Sequence, residues 1–163
     1  MKKGELTKQM ILEAAKKEFY EKGYLNARMN QITKTLNIQP SWITYYFKTK
    51  ENLAAELFRE MFDKINAVIE ASDIQIYDVL HVHFVRIRLL YRILLRDENT
   101  RLFFYELNKK KVMSVIMKPM VDEMYREIIK KYHITVTGEE FRMIREIDAA
   151  GRMTFFEKYL EGQ

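Results

Sequence analysis

The chain has 163 residues and a mass of 19.7 kDa, and it is 48% hydrophobic and 31% charged, which suits one domain or two small ones with a buried core and excludes a disordered tail. Zero cysteines exclude disulfides, thiolate zinc sites and cysteine nucleophiles; no apolar h-region follows Met1–Leu6 and no uncharged apolar run reaches the ~18 residues of a membrane span, so neither a secretory leader nor a transmembrane helix is expected. The net charge of +5 divides unevenly, since residues 1–50 hold 10 Lys/Arg against 4 Asp/Glu while residues 51–163 hold 18 against 19, and that asymmetry predicts either a polyanion-binding head on a neutral body or a lysine-rich solvated helix face.

Only 5 Gly and 2 Pro are present, and Leu, Ile, Met, Lys and Glu dominate, so a cytoplasmic all-α protein is expected. The first helix is predicted from an N-cap at Thr7, with Ile11, Ala14, Ala15 and Phe19 on its apolar face and a stop at Gly23. A short second helix carries Met29, Ile32 and Leu36. Asn37-Ile38-Gln39-Pro40 then predicts a tight turn at 37–39, because Asn tolerates the left-handed conformation and Pro fits only the first turn of a helix. A third helix follows over about 40 to 47. With Ile32, Ile38, Ile43 and Phe47 inward, the pair is a helix-turn-helix. Thr49 caps a fourth helix with an apolar stripe of Leu53, Leu57, Met61, Ile65 and Val68.

The third helix is expected to present Gln39, Ser41, Trp42, Thr44 and Tyr45 outward, followed by Lys48 and Lys50. Polar groups at the start of such a helix suit base edges, and Tyr hydroxyls and Lys suit phosphates. Trp42 either meets DNA or lies half-buried against the first helix. Tyr45 and Tyr46 point about 100° apart on a helix, so only one of them faces DNA and the other is expected in the core.

Thr7 through Leu53 resembles the DNA-binding domain of TetR-type (tetracycline-repressor-like) transcriptional regulators. The resemblance rests on Thr7, Ile11-Leu12, Ala14-Ala15, Phe19, Gly23-Tyr24, Ile32, the Leu36-Asn37-Ile38 turn, and the string Tyr45-Tyr46-Phe47-Lys48-Thr49-Lys50-Glu51-Asn52-Leu53. Departures from the family pattern fall at Thr33 (usually Ala), Asn37 (usually Gly), Thr44 (often aromatic) and Tyr46 (often His). Ala27-Arg28-Met29 stands where threonines are common. The resemblance implies a phosphate contact there, which Arg28 serves by charge. It further implies DNA-binding residues Arg28, Gln39, Ser41, Trp42, Thr44, Tyr45, Tyr46, Lys48 and Lys50. The domains expected are a helix-turn-helix head over 1–50 and a helical effector-binding and dimerisation body over 51–163, joined by a long helix.

In the body, residues 74–97 are nearly all apolar apart from a stripe of His81, Arg88, Arg92 and Arg96, which predicts the central helix of a bundle. Residues 100–132 continue helically, with Pro119 either kinking the stretch or starting a new helix. Thr137-Gly138-Glu139-Glu140 is a capping box opening a final helix through Phe141, Ile144 and Ile147. Family members continue with two more helices, so either the body is compact or the sequence is a truncated product. The terminal Met153, Phe155, Phe156, Tyr159 and Leu160 pack either within the subunit or in a dimer interface. Aromatic and Met residues at helical spacing are core, or else line a pocket for a small apolar or aromatic effector. The ligand candidates are Phe84, Arg88, Tyr91, Phe103, Phe104, Met113 and Met117.

No enzyme signature is found. His81 and His83 point to different faces with no Glu or Asp neighbour to complete a helical triad, His133 stands beside Lys and Tyr near a helix end, and no Gly-rich phosphate loop, nucleophile elbow or paired-carboxylate signature occurs. No cofactor or metal is expected. The resemblance implies a homodimeric regulator of a palindromic operator on double-stranded DNA, with an effector that tilts the fourth helix and releases the heads. The alternative is an architectural DNA-binding dimer without ligand control.

Overall fold

The computed structural model describes residues 3–72 and 78–161, and every regular element among them is an α-helix. In chain order these are α1 (Lys3–Asn26), α2 (Met29–Leu36), α3 (Ser41–Phe47), α4 (Lys50–Glu70), α5 (Val79–Leu94), α6 (Glu98–Lys109), α7 (Val112–Lys131) and α8 (Gly138–Leu160). The expectations placed on residues 74–77, on the Leu160 side chain and on Gly162–Gln163 lie outside the described residues. No described helix is long and apolar enough to cross a membrane.

The helices divide into two compact units. One holds residues 1–64 and 94–106, the other 65–93 and 107–163. The first therefore contains all of the 1–50 segment together with the start of α4 and most of α6. Its core joins Ile11, Leu12, Ala15 and Phe19 of α1 to Ile32, Ile43, Phe47, Leu53 and Phe58, all buried. Phe103 and Phe104 of α6 complete it. The Phe58 and Phe104 rings meet edge-on at 4.8 Å, and Phe19 and Phe103 lie 5.1 Å apart.

Three local expectations are corrected here. Thr7 does not cap α1, because the helix already runs from Lys3 with Glu5 in its first turn, where a carboxylate favours the positive end of the dipole. The buried face of α4 is Leu53, Ala54, Phe58, Phe62, Ile65 and Ile69, and Val68 is exposed. That face follows the i, i+4 Phe pair instead of the Leu57–Met61 row. The 100–132 stretch is broken between α6 and α7, where Lys111 adopts φ 58°; Pro119 sits inside α7. Gly23 interrupts α1 at φ 73°, as its freedom from a Cβ allows.

The second unit packs α5, α7 and α8 around Leu90, Met113, Val121, Met124 and Phe156. Arg145 of α8, only 7% exposed, joins Asp122 of α7 at 2.8 Å and Asp148 at 3.0 Å. Its guanidinium also lies 4.8 Å from the Tyr125 ring. Thr137 and Glu140 form the capping box, with Glu140 N–H donating to Thr137 Oγ1 at 3.1 Å and Thr137 N–H to Glu140 Oε2 at 2.7 Å.

The expected burial of α5 on all faces but one is not found: Phe84 is 62% exposed, and Leu80 and Ile93 are exposed too. The end of α4 also meets α5, where Arg86 Nε donates to Asn66 Oδ1 at 2.9 Å, yet these apolar faces of α5 stay open to solvent. On α8, Met143, Ile144, Ile147 and Phe155 are also exposed. At 100° per residue these four and Gly151 span about a third of the helix circumference.

Candidate nucleic-acid interface

The α2–α3 junction is built from local chemistry. Asn37 takes the left-handed conformation (φ 52°, ψ 45°) at the end of α2. Its N–H donates to the Lys34 carbonyl at 3.1 Å, and Ile38 N–H reaches the Thr33 carbonyl at 3.0 Å. This pair of closing bonds is the Schellman arrangement, which reverses the chain after a helix. Thr33, buried on the inner face of α2, satisfies its hydroxyl on the Asn30 carbonyl at 2.9 Å. Pro40 then precedes α3 at φ −54°, and the first turn is closed by Trp42 N–H on the Gln39 carbonyl at 3.0 Å.

With Ile43 and Phe47 buried, the remaining faces of α3 point to solvent. Gln39, Ser41, Trp42, Thr44 and Tyr45 are all exposed, as are Arg28 and Lys48. Tyr45 is 76% exposed. Tyr46 is half-buried, not core. It lies between two other rings, 6.0 Å from Trp42 with planes 20° apart and 5.0 Å from Tyr45 edge-on. Trp42 therefore leans on a ring of its own helix, and the residue is 42% exposed. Polar termini and stackable rings on a protruding short helix are the groups that read base edges and thymine methyls.

The turn into α4 is tight. Lys48 has φ 63° and ψ −55°, and Thr49 N–H donates to the Phe47 carbonyl two residues back at 2.7 Å. This three-residue turn is a strained one for a side-chain-bearing residue. Thr49 Oγ1 accepts from Asn52 N–H at 3.2 Å, capping α4 as expected.

Lys50 departs from the expectation of a DNA contact. Its Nζ turns inward, donating to the Ala27 carbonyl at 2.6 Å and the Leu25 carbonyl at 3.4 Å, and lies 4.8 Å from the Tyr24 ring centre. Burial lowers its pKa, while Glu51, Glu106 and Glu18 oppose that shift. An ammonium spent on two carbonyls and a ring face is not offered to a phosphate. Neighbouring Tyr24 donates its hydroxyl to Glu51 Oε1 at 3.0 Å, and burial together with that carboxylate pushes the phenol well above its ordinary range. Glu51 is held below the usual carboxylate range by its own backbone amide, then by Thr49, Tyr24 and Lys50.

The expected ligand residues are divided. Phe103 and Phe104 belong to the first unit, where their faces are taken up by Phe19, Tyr24 and Phe58. Packing against α1 and α4 thus removes them from the pocket set. Phe84, Arg88, Tyr91, Met113 and Met117 belong to the second unit. Phe84 and Arg88 are exposed, Met113 is buried and Met117 half-buried. Tyr91 lies 5.8 Å from Phe156. No group of three or more His, Asp or Glu among the described residues is placed to hold a metal ion.

Sequence reasoning missed Glu106, a carboxylate only 7% exposed whose Oε2 accepts from Leu25 N–H at 2.8 Å. Its signal was a charged residue between Phe103-Phe104-Tyr105 and Leu107, a position whose neighbours are all apolar.

Residues 11–57 match the family described as bacterial regulatory proteins, tetR family. The chain is 38% identical over 69 residues to YhgD of Bacillus subtilis (strain 168), described as an uncharacterized HTH-type transcriptional regulator. It is 30% identical over 66 residues to YttP of the same organism, described as a probable HTH-type transcriptional regulator. Each match takes in 40% of this chain, and 36% and 32% of the two relatives respectively. The chain thus spans about a third of the length of the curated relatives it matches.

Proposed function

We propose that this chain, a member of the tetR family of bacterial regulatory proteins through its residues 11–57, is a sequence-specific DNA-binding transcription regulator acting in the cytoplasm as a homodimer. The observation that carries this reading is the exposed row Gln39, Ser41, Trp42, Thr44 and Tyr45 on α3, held out by a Schellman turn at the basic end of the chain. In the proposed mode, Gln39, Ser41, Trp42 and Thr44 read base edges in the major groove, Arg28, Tyr45 and Lys48 hold phosphates, and Tyr46 backs Trp42. Two copies set their α3 helices about 34 Å apart on a two-fold operator.

The exposed α8 row Met143, Ile144, Ile147 and Phe155, together with the small Gly151, supports a second copy of this chain as the partner, since a large apolar surface is costly to leave in water. Phe84, Arg88, Tyr91, Met113 and Met117 are the proposed contacts for a small apolar or aromatic effector. Such an effector acts as a releasing ligand only through differential affinity for two states, and a shift from 99:1 to 1:99 takes about 5.5 kcal/mol.

The test is in-vitro selection from random duplex DNA at near-physiological salt, with the complexes sized by light scattering. Enrichment of one palindrome by a dimer supports the reading, and the selected duplex then screens effectors by release. Binding without enrichment that vanishes as salt rises favours an architectural dimer instead.

A further inference from the structure

Leu25 has an exposed side chain, yet both polar groups of its backbone are held by charged side chains from elsewhere in the first unit. Its N–H donates to Glu106 Oε2 at 2.8 Å, and its carbonyl accepts from Lys50 Nζ at 3.4 Å. Two residues on, the Ala27 carbonyl takes the same ammonium at 2.6 Å, and Arg28 N–H donates to Glu18 Oε1 at 3.2 Å. The carboxylate reaches Leu25 only because residue 23 has no side chain: a Cβ on Gly23 would lie 2.5 Å from Glu106 Oε2. A buried carboxylate with a notch left for it is costly unless its hydrogen bonds are made.

From this geometry we infer that Glu106, with Lys50 opposite, clamps the Gly23–Ala27 connection and is a positioning residue for DNA binding. The inference rests on the DNA-binding reading above. The clamped segment leads straight into Arg28 and the first turn of α2, and α2 carries α3 through the Asn37 turn. A binding face is only as precise as the shell that supports it. Neither clamp group touches DNA in this arrangement; each acts through the backbone it holds.

The test uses the full chain with Glu106→Gln, Glu106→Asp and Glu106→Ala. It follows hydrogen exchange at the Leu25 amide, affinity for the selected duplex, its salt dependence, and the melting temperature. Gln keeps the reach and an acceptor oxygen without the charge; Asp keeps the charge and loses one methylene of reach. Glu106→Gln is expected to stay within about threefold of the parent in Leu25 exchange and affinity. Glu106→Asp and Glu106→Ala are expected to speed that exchange and weaken affinity by about tenfold. The slope of log affinity against log salt stays unchanged in all three, because no phosphate contact is removed.

The inference is overturned by the reverse ranking, with Asp like the parent and Gln impaired, or by unchanged Leu25 exchange in Glu106→Asp. A salt slope that falls by about one also overturns it. Where Glu106→Ala fails to melt cooperatively, the Gln and Asp pair still decides. A parent chain that selects no duplex removes the DNA-binding reading and the positioning role with it, while Leu25 exchange, read without DNA, still reports whether the clamp exists.

Discussion

Trp42 stacks on Tyr46 one turn along α3, the ring centres 6.0 Å apart and the planes 20° apart. The contact props the indole outward on its own helix, so the chain's single Trp is a reporter at the proposed interface. Adding the selected duplex is expected to quench or shift its emission. Emission that stays constant while fluorescence anisotropy of labelled DNA shows binding would remove Trp42 from the interface.

Lys48 combines a proposed phosphate contact with a strained backbone at φ 63°, and the two roles separate by substitution. Lys48→Ala loses the charge and keeps the strain; Lys48→Gly loses the charge and relieves it. Both are expected to reduce the salt slope by about one. The Gly variant should be the more stable of the two by about 1 kcal/mol in urea denaturation. Equal stabilities would mean the turn is not strained, and an unchanged slope would mean Lys48 meets no phosphate.

Ile147 lies in the middle of the exposed α8 row, and a charge placed there opposes burial against a second copy. Ile147→Glu is expected to shift sedimentation from dimer toward monomer at micromolar concentration and to weaken operator binding in step. Helix content by circular dichroism should hold, because Ile147 is 66% exposed within the subunit. A variant that sediments as the parent does would move the dimer contact away from this face.

Arg145 is the buried cation between Asp122 and Asp148. Removing it leaves Asp122 without this partner while Asp148 keeps Arg152, and Arg145→Ala is expected to cost about 3 kcal/mol. That is the lower end for a broken buried pair, since both carboxylates keep partial access to water. Chemical denaturation measures it, and a loss under 1 kcal/mol would show that the ion pair is solvated.

His83 is half-buried on α5, within the fields of Arg152, Arg86 and Asp148. Burial, then the two guanidinium charges, lower its pKa below 6.5, with Asp148 opposing. The neutral form is thus favoured in the fold, and stability from this residue is complete above pH ~6.5. It is lost as pH falls through the lower folded value, because the unfolded chain takes up the proton first. The melting temperature should therefore fall between pH 7 and pH 5, and fall less in His83→Leu. Identical pH profiles for the two proteins would exclude His83 as the source.

The features legible in the amino-acid order are those whose causes lie within a few residues. Asn37 and Pro40 determine the α2–α3 turn through a left-handed residue and a fixed φ. Thr137 and Glu140 determine the start of α8 through two reciprocal bonds, and Gly23 determines the break in α1. The outward row of α3 follows from the same local logic, because Ile43 and Phe47 leave no other face to bury.

What tertiary structure alone decided was the fate of side chains whose partners lie far along the chain. Lys50 read as one more cation beside Lys48, yet its ammonium is 23 residues away from its sequence neighbourhood, on Ala27. Phe103 and Phe104 read as pocket residues of the body, yet they pack on Phe19 and Phe58 in the first unit. Glu106 had no reading at all until Leu25, 81 residues distant, supplied its donor. Helical periodicity says which residues share a face and nothing about which other face will cover them; that is settled when a carboxylate, an ammonium and a glycine notch meet in three dimensions.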